Sequence, residues 1–263
     1  MKSTFFALVY FTFYTFFGYS QKNNLPVLLE KAGKQKLLCE QVTKSFLWLG
    51  LAINNNDAKV EFDDAKFAFS KNLLFFAENS KSANTKIAVQ NLIFLWSEFK
   101  ILLEAKPSKE NAMIVINKSN LIMNSCSELI SKIYFENNIK NTRILNLCNK
   151  QKLNIEKISK YSVIKNWNFG YPELEKDLNE AIVSYEFSLS QLILSEDNSP
   201  EITNLLSQRL EEWPDNKPNF VFDNKTISPE KVIVNTNLIL KEWNKISLIY
   251  QKMAMSNDAF FKL

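Results

Sequence analysis

The sequence predicts an all-α fold built as two tandem four-helix up-down bundles. The first observation behind this is an internal repeat. Ala32-Gly33-Lys34-Gln35-Lys36-Leu37-Leu38-Cys39-Glu40-Gln41-Val42-Thr43-Lys44 has a degraded copy, Cys148-Asn149-Lys150-Gln151-Lys152-Leu153-Asn154-Ile155-Glu156-Lys157-Ile158-Ser159-Lys160, 116 positions further on. Near the ends of the two copies Asn120-Leu121-Ile122 meets Asn237-Leu238-Ile239 at an offset of 117, and a near-constant offset over that span argues for two homologous units. The second is spacing: apolar residues recur in steps of three and four, as on one face of a packed helix. The third is the scarcity of glycine, only 4 in 263 residues, which leaves too few tight turns for sandwiches, barrels or doubly wound sheets.

The elements follow in order. Residues 1–20 read as a signal peptide: Lys2 supplies a positive start, Phe5 to Phe17 is an apolar run, and small residues at Gly18-Tyr19-Ser20 precede Gln21. The run is shorter than the about 20 apolar residues that a spanning helix needs, so the mature chain is expected to be periplasmic or secreted and not membrane-spanning after cleavage. The first bundle is assigned to residues 21–138. Leu38, Val42, Ser45, Phe46, Leu49 and Ile53 stripe its first helix, which is expected to end in the polar cluster Asn54-Asn55-Asn56-Asp57. A second helix runs to about Glu78, Asn79-Ser80-Lys81-Ser82 is a turn, and Ala88, Leu92, Leu95, Phe99 and Leu102 mark the third. After Pro107-Ser108, the residues Ala112, Val115, Ser119, Ile122, Cys126, Leu129 and Ile133 form the seam of the fourth, with Glu110 in the first turn where the helix dipole favours negative charge.

The second bundle is assigned to residues 139–263. Its first helix is expected from about Ile139 to Trp167, stopping near Gly170-Tyr171-Pro172, and its second from about Pro172 to Leu194. Asn198-Ser199-Pro200-Glu201 restarts the chain, Trp213-Pro214 is expected to end the short third helix, and Asp215 to Ile227 reads as an irregular loop. After Ser228-Pro229, the residues Val232, Asn235, Ile239, Trp243, Ile246, Tyr250 and Met253 repeat the seam of the earlier fourth helix.

Composition removes much of enzymology. With no histidine there are no His-based triads, imidazole metal ligands or the usual proton shuttle near neutral pH. The glycines form neither G-x-G-x-x-G nor G-x-x-x-x-G-K-[ST]. Glu61-Phe62-Asp63-Asp64 reads as a solvated helix face, because neighbours in sequence point different ways. No catalytic residue, metal site or cofactor is expected, and the chain is read as non-enzymatic. A net charge of +4, with acidic residues interspersed among the lysines, does not imply nucleic acid. The three cysteines, Cys39, Cys126 and Cys148, are read as buried free thiols, and the tryptophans as bundle core.

The repeat motif also carries a family resemblance. Ala32-Gly33-Lys34-Gln35-Lys36-Leu37-Leu38-Cys39-Glu40-Gln41, leading into an amphipathic helix, resembles the pattern A-G-R-Q-R-M-L-S-Q-R of the N-terminal sensor domain of type IV pilus methyl-accepting chemotaxis transducers (PilJ-type). That domain is a relative of the extracytoplasmic domain of nitrate and nitrite sensor kinases. Leu95-Trp96-Ser97-Glu98-Phe99 resembles the family's third-helix tryptophan segment, and Pro107-Ser108-Lys109-Glu110-Asn111 its start of helix four. The second copy keeps Lys-Gln-Lys-Leu and the Lys160 and Trp213 positions.

The resemblance implies a four-helix bundle that senses small molecules and, in the nitrate sensors, binds an anion through Arg on the first helix, between subunits. The matching positions are Lys36 and Lys152, and the family's second Arg matches Gln41 and Lys157. Lysine keeps the charge but lacks the planar fork that grips two oxygens of nitrate at once. Independently, Lys36 stands about 200° round the helix from Leu38, facing away from its own bundle core and free to meet a partner. The bland alternative for Lys36 and Lys152 is ordinary solvent-exposed lysine.

Duplication sharpens the expectation. A turn at Glu136-Asn137-Asn138 would set the two first helices parallel, so that one chain imitates a sensor homodimer and Lys36 and Lys152 converge; a continuous helix there would lay the units end to end. The function expected is an exported sensor-like module for a small ligand such as a small anion, in signalling at the cell envelope and with an envelope protein as partner. The alternative is a structural or protein-interaction bundle that has lost the ligand site.

Overall fold

The computed structural model describes residues 25–52, 55–137, 143–220 and 228–256. They form eight α-helices: α1 (Leu25–Gly50), α2 (Asn55–Asn79), α3 (Ala83–Glu104), α4 (Lys109–Glu136), α5 (Arg143–Trp167), α6 (Leu174–Ile193), α7 (Pro200–Asn216) and α8 (Pro229–Ser256), with a 3₁₀ turn at Lys217–Asn219. Among the described residues there is no strand. The signal-peptide assignment and the boundary at residues 138–139 lie outside the described residues.

Local chemistry sets the helix starts. The side chains of Ser82, Ser108 and Ser199 each accept a hydrogen bond from a backbone N–H three residues on, and Asn111 returns the bond to Ser108 in a capping box. Each such cap stabilises its helix by about 1 kcal/mol. Glu136, at the far end of α4, accepts from the N–H groups of Lys81 and Ser82, so one carboxylate ties the α2–α3 turn to the end of α4.

The predicted seams are the cores. All seven positions of the α4 stripe are buried. On α8, Val232, Ile239, Trp243, Ile246 and Tyr250 are buried, while Thr236 takes the inward place expected of Asn235 and donates to the Val232 carbonyl. Two boundaries differ from expectation. Helix α1 ends at Gly50, where Ala52 at φ 56° turns the chain out of helical geometry, and Asn55-Asn56-Asp57 open α2. The expected start of α5 near Ile139 lies outside the described residues. Helix α7 runs through Pro214 to Asn216. A proline this near a helix end removes a single backbone donor, and Trp213 is anchored by its ring on Tyr185 at 4.3 Å and its indole N–H to Glu186 at 2.9 Å.

Packing repeats as the sequence does. Gln35 donates to the Phe69 carbonyl at 3.2 Å, and Gln151 to the Tyr185 carbonyl at 2.9 Å. Trp96 stacks on Phe69 at 4.0 Å and donates to Ser70, as Trp213 packs at a tilt on Tyr185 and donates to Glu186. Each of these correspondences keeps the offset of 116 or 117. Helices α1 to α4 therefore make one bundle and α5 to α8 a second with matching helix order. Helix α1 packs on α2, α4 and α5, and α5 on α6, α8 and α1, so the two first helices are the seam between bundles.

Candidate functional site

The first helix carries glycine at two points where it meets side chains of α5. A Cβ at Gly33 would lie 2.3 Å from the Asn149 amide nitrogen, and one at Gly50 would lie 2.2 Å from the Trp167 ring. These two approaches, at offsets of 116 and 117, place α1 and α5 parallel and in register. The chain leaves helical geometry after Glu136, which gives the side-by-side arrangement rather than units end to end.

Burial on the seam is all-round. Every residue from Val42 to Trp48 is buried, as is every residue from Ile158 to Ile164. A helix covered on all sides is normally apolar throughout, yet these two carry Lys44, Lys160 and, a turn earlier, Glu40 and Glu156. Lys44 Nζ lies 2.7 Å from Glu156, and Lys160 Nζ lies 2.6 Å from Glu40. Under the 116-residue shift each pair becomes the other, so the contacts cross the seam reciprocally. Gln41 donates to Glu156 at 2.8 Å, and Lys44 also meets Glu61 at 2.7 Å.

One ammonium thus faces two carboxylates. Burial pushes the Glu156 carboxyl up to about 7, against the pull of Lys44, and the nearby charge of Glu61 adds to the rise. Burial would lower the Lys44 pKa, but Glu156 and Glu61 outweigh it and hold the ammonium above its ordinary range. Glu61 is therefore not part of a solvated face as its sequence neighbours suggested: it turns inward to Lys44, Phe62 enters the core, and Asp63 pairs with Lys59.

Beside this buried layer a cleft of 540 Å³ opens between the bundles. Lys36 of α1 and Lys150 and Lys157 of α5 line it, with Asn149 and Asn154, and no carboxylate is among its lining residues. Burial lowers the Lys36 pKa, and the charges of Lys157 and Lys150 lower it further, against the opposing pull of Cys126 and Glu40. Three like charges thus share one space. The α4 wall supplies Ser127 and Ser131, whose hydroxyls donate to the Met123 and Ser127 carbonyls and leave oxygen lone pairs free to accept.

The four residues singled out by sequence separate. Lys36 and Lys157 meet in the cleft. Gln41 belongs to the buried charge layer through Glu156. Lys152 is 3% exposed, which removes ordinary solvent exposure as its explanation, and its surroundings are Cys148, Lys34 and Glu30. Lys36 and Lys152 do not converge. They are related by the repeat, Lys36 feels Lys150 as Lys152 feels the equivalent Lys34, and Lys152 is not among the residues that line the cleft. The outward face of Lys36 does find a partner, and it is the second repeat.

Lys150 and the crossed pairs were missed from sequence. The signals were present: Lys150 and Lys157 are seven apart, two turns along one helix face, and Glu-x-x-x-Lys occupies the same place in both repeats. Cys39, Cys126 and Cys148 are buried and free, and burial pushes Cys126 and Cys148 up to about 12. Among the described residues no helix is long and apolar enough to cross a membrane, and no group of three or more His, Cys, Asp or Glu is placed to hold a metal ion. No family model matches this chain, and comparison with curated proteins and with solved structures returned no match.

Proposed function

We propose that this protein is a non-enzymatic, exported sensor-like module that binds a small anion in the cleft between its two repeats. The observation that carries this is the meeting of Lys36, Lys150 and Lys157 in one cleft without a lining carboxylate. Ammoniums gathered in a half-buried space repel one another, and a bound anion relieves that repulsion. The resemblance of the Ala32–Gln41 segment to PilJ-type sensor domains supports the same reading, since its first-helix cation matches Lys36. Isothermal titration with nitrate, nitrite and small carboxylates tests it. Heat should be released on binding at least one of them and lost in the Lys36→Gln, Lys157→Gln double variant; no binding of any anion would remove the proposal. Export is tested by sequencing the N-terminus of the mature protein, which should begin at Gln21.

A second reading, a protein-interaction bundle, is favoured by a separate observation. Val60, Phe67 and Leu74 on α2, and Ile87, Phe94 and Ile101 on α3, are all more than half exposed and recur every seven residues. Such a stripe suits an apolar partner helix. Light scattering of the purified chain against a Phe94→Glu variant tests it: association abolished by the substitution supports the reading, and a monomer in both cases counts against self-association through this face.

A further inference from the structure

We infer that the ligand of the inter-repeat cleft is a polyvalent oxyanion that also carries hydroxyl groups, rather than a monovalent ion of nitrate size. The inference rests on the cleft being an anion site. Charge is the first ground: Lys36, Lys150 and Lys157 supply three positive charges, and no lining carboxylate offsets them. A single negative charge leaves most of that repulsion in place, whereas two or three on one molecule neutralise it.

Space is the second. A nitrate-sized ion, of the order of two waters at about 30 Å³ each, fills roughly a tenth of the 540 Å³ available. A molecule of about ten heavy atoms suits the volume better. Lysine is the third: as a flexible point charge it meets anionic oxygens spread over a molecule, without the bidentate geometry that favours a flat ion.

The walls differ in hydrogen-bonding character, which bears on the hydroxyl groups. The α1 and α5 sides present ammonium donors. The α4 side presents Ser127 and Ser131, whose hydroxyl protons are committed to their own helix, so these oxygens accept. A ligand with anionic oxygens at one side and hydroxyl donors at the other matches both walls. Hydroxylated polycarboxylates and sugar phosphates share this chemistry.

Titration calorimetry of the full chain at fixed ionic strength separates them. The probes are citrate, tricarballylate (citrate without its hydroxyl), glucose 6-phosphate and sodium nitrate. Citrate or glucose 6-phosphate should bind at least about tenfold more tightly than nitrate, and citrate more tightly than tricarballylate. Which of the two hydroxylated probes is preferred identifies the source chemistry. Lys150→Glu, at an exposed position, should weaken that binding by about tenfold or more, while the same charge change at the exposed Lys86 on α3 should not. Unchanged circular dichroism in both variants keeps the comparison on binding. Nitrate binding as tightly as the polyanions would overturn this inference and leave the anion site standing; no binding by any probe would overturn both. Equal binding of citrate and tricarballylate would overturn the hydroxyl requirement.

Discussion

Lys44 reaches across the seam to Glu156 at 2.7 Å, although Glu40 stands one turn before it on its own helix and would serve as an ordinary i,i+4 partner. Glu40 pairs instead with Lys160, so neither helix satisfies its own charges and each depends on the other. Buried pairs of this kind add little net stability over apolar residues of the same shape, yet losing one partner is costly because a buried charge is stranded.

The two pairs should respond unequally to truncation. Glu40→Ala leaves Lys160 without its only carboxylate partner among the described ion pairs, and should destabilise by about 3–5 kcal/mol. Glu156→Ala leaves Lys44 its contact with Glu61 and should cost less. Urea unfolding of the two variants, followed by circular dichroism, reads the difference. Equal losses would mean that Glu61 does not support Lys44.

Glu156 should make stability fall as pH rises. Its folded pKa of about 7 lies above the ordinary carboxylate value of 4.5, so between those values the folded state holds a proton that the unfolded state releases. Its contribution favours folding most fully below 4.5, is lost through the window up to about 7, and is flat above. Lys44, raised above 10.5, adds no slope there. The urea midpoint of the wild type should therefore drop more between pH 5 and pH 8 than that of Glu156→Gln, which imitates the protonated acid. Parallel profiles would refute the assignment.

The glycines on the seam should differ in tolerance. Gly33→Ala meets the end of the Asn149 side chain, which has room to rotate, and alanine favours the helix by up to about 1 kcal/mol, so its melting temperature should change little. Gly50→Ala meets the rigid indole of Trp167 and should cost about 1–3 kcal/mol. Thermal melts of both variants check the order.

The thiols should be silent in the folded protein. Cys39, Cys126 and Cys148 are buried, and their raised pKa values keep them protonated at pH 8. A colorimetric thiol reagent should label none of them in native buffer and all 3 in denaturant. Rapid labelling of Cys39 without denaturant would show that the first bundle opens locally.

The duplication, the helix seams and the serine starts were legible in the amino-acid sequence, since each rests on spacing within a single helix or on a cap three residues long. The run through Pro214 was not, because what holds Trp213 in helical geometry is Tyr185 and Glu186 on another helix. Of the lysines lining the cleft, Lys36 and Lys157 occupy positions that the family resemblance marks, and Lys150 does not. Periodicity identifies the side of α1 that turns away from its own core. Only the tertiary structure decided that the second repeat covers that side, turning two outward faces into a seam that buries Lys44 and Lys160 and gathers Lys36, Lys150 and Lys157 at its edge. The reason is physical: helical pattern is set by residues three and four apart, whereas charge pairing between helices depends on ångström distances between residues more than a hundred positions apart.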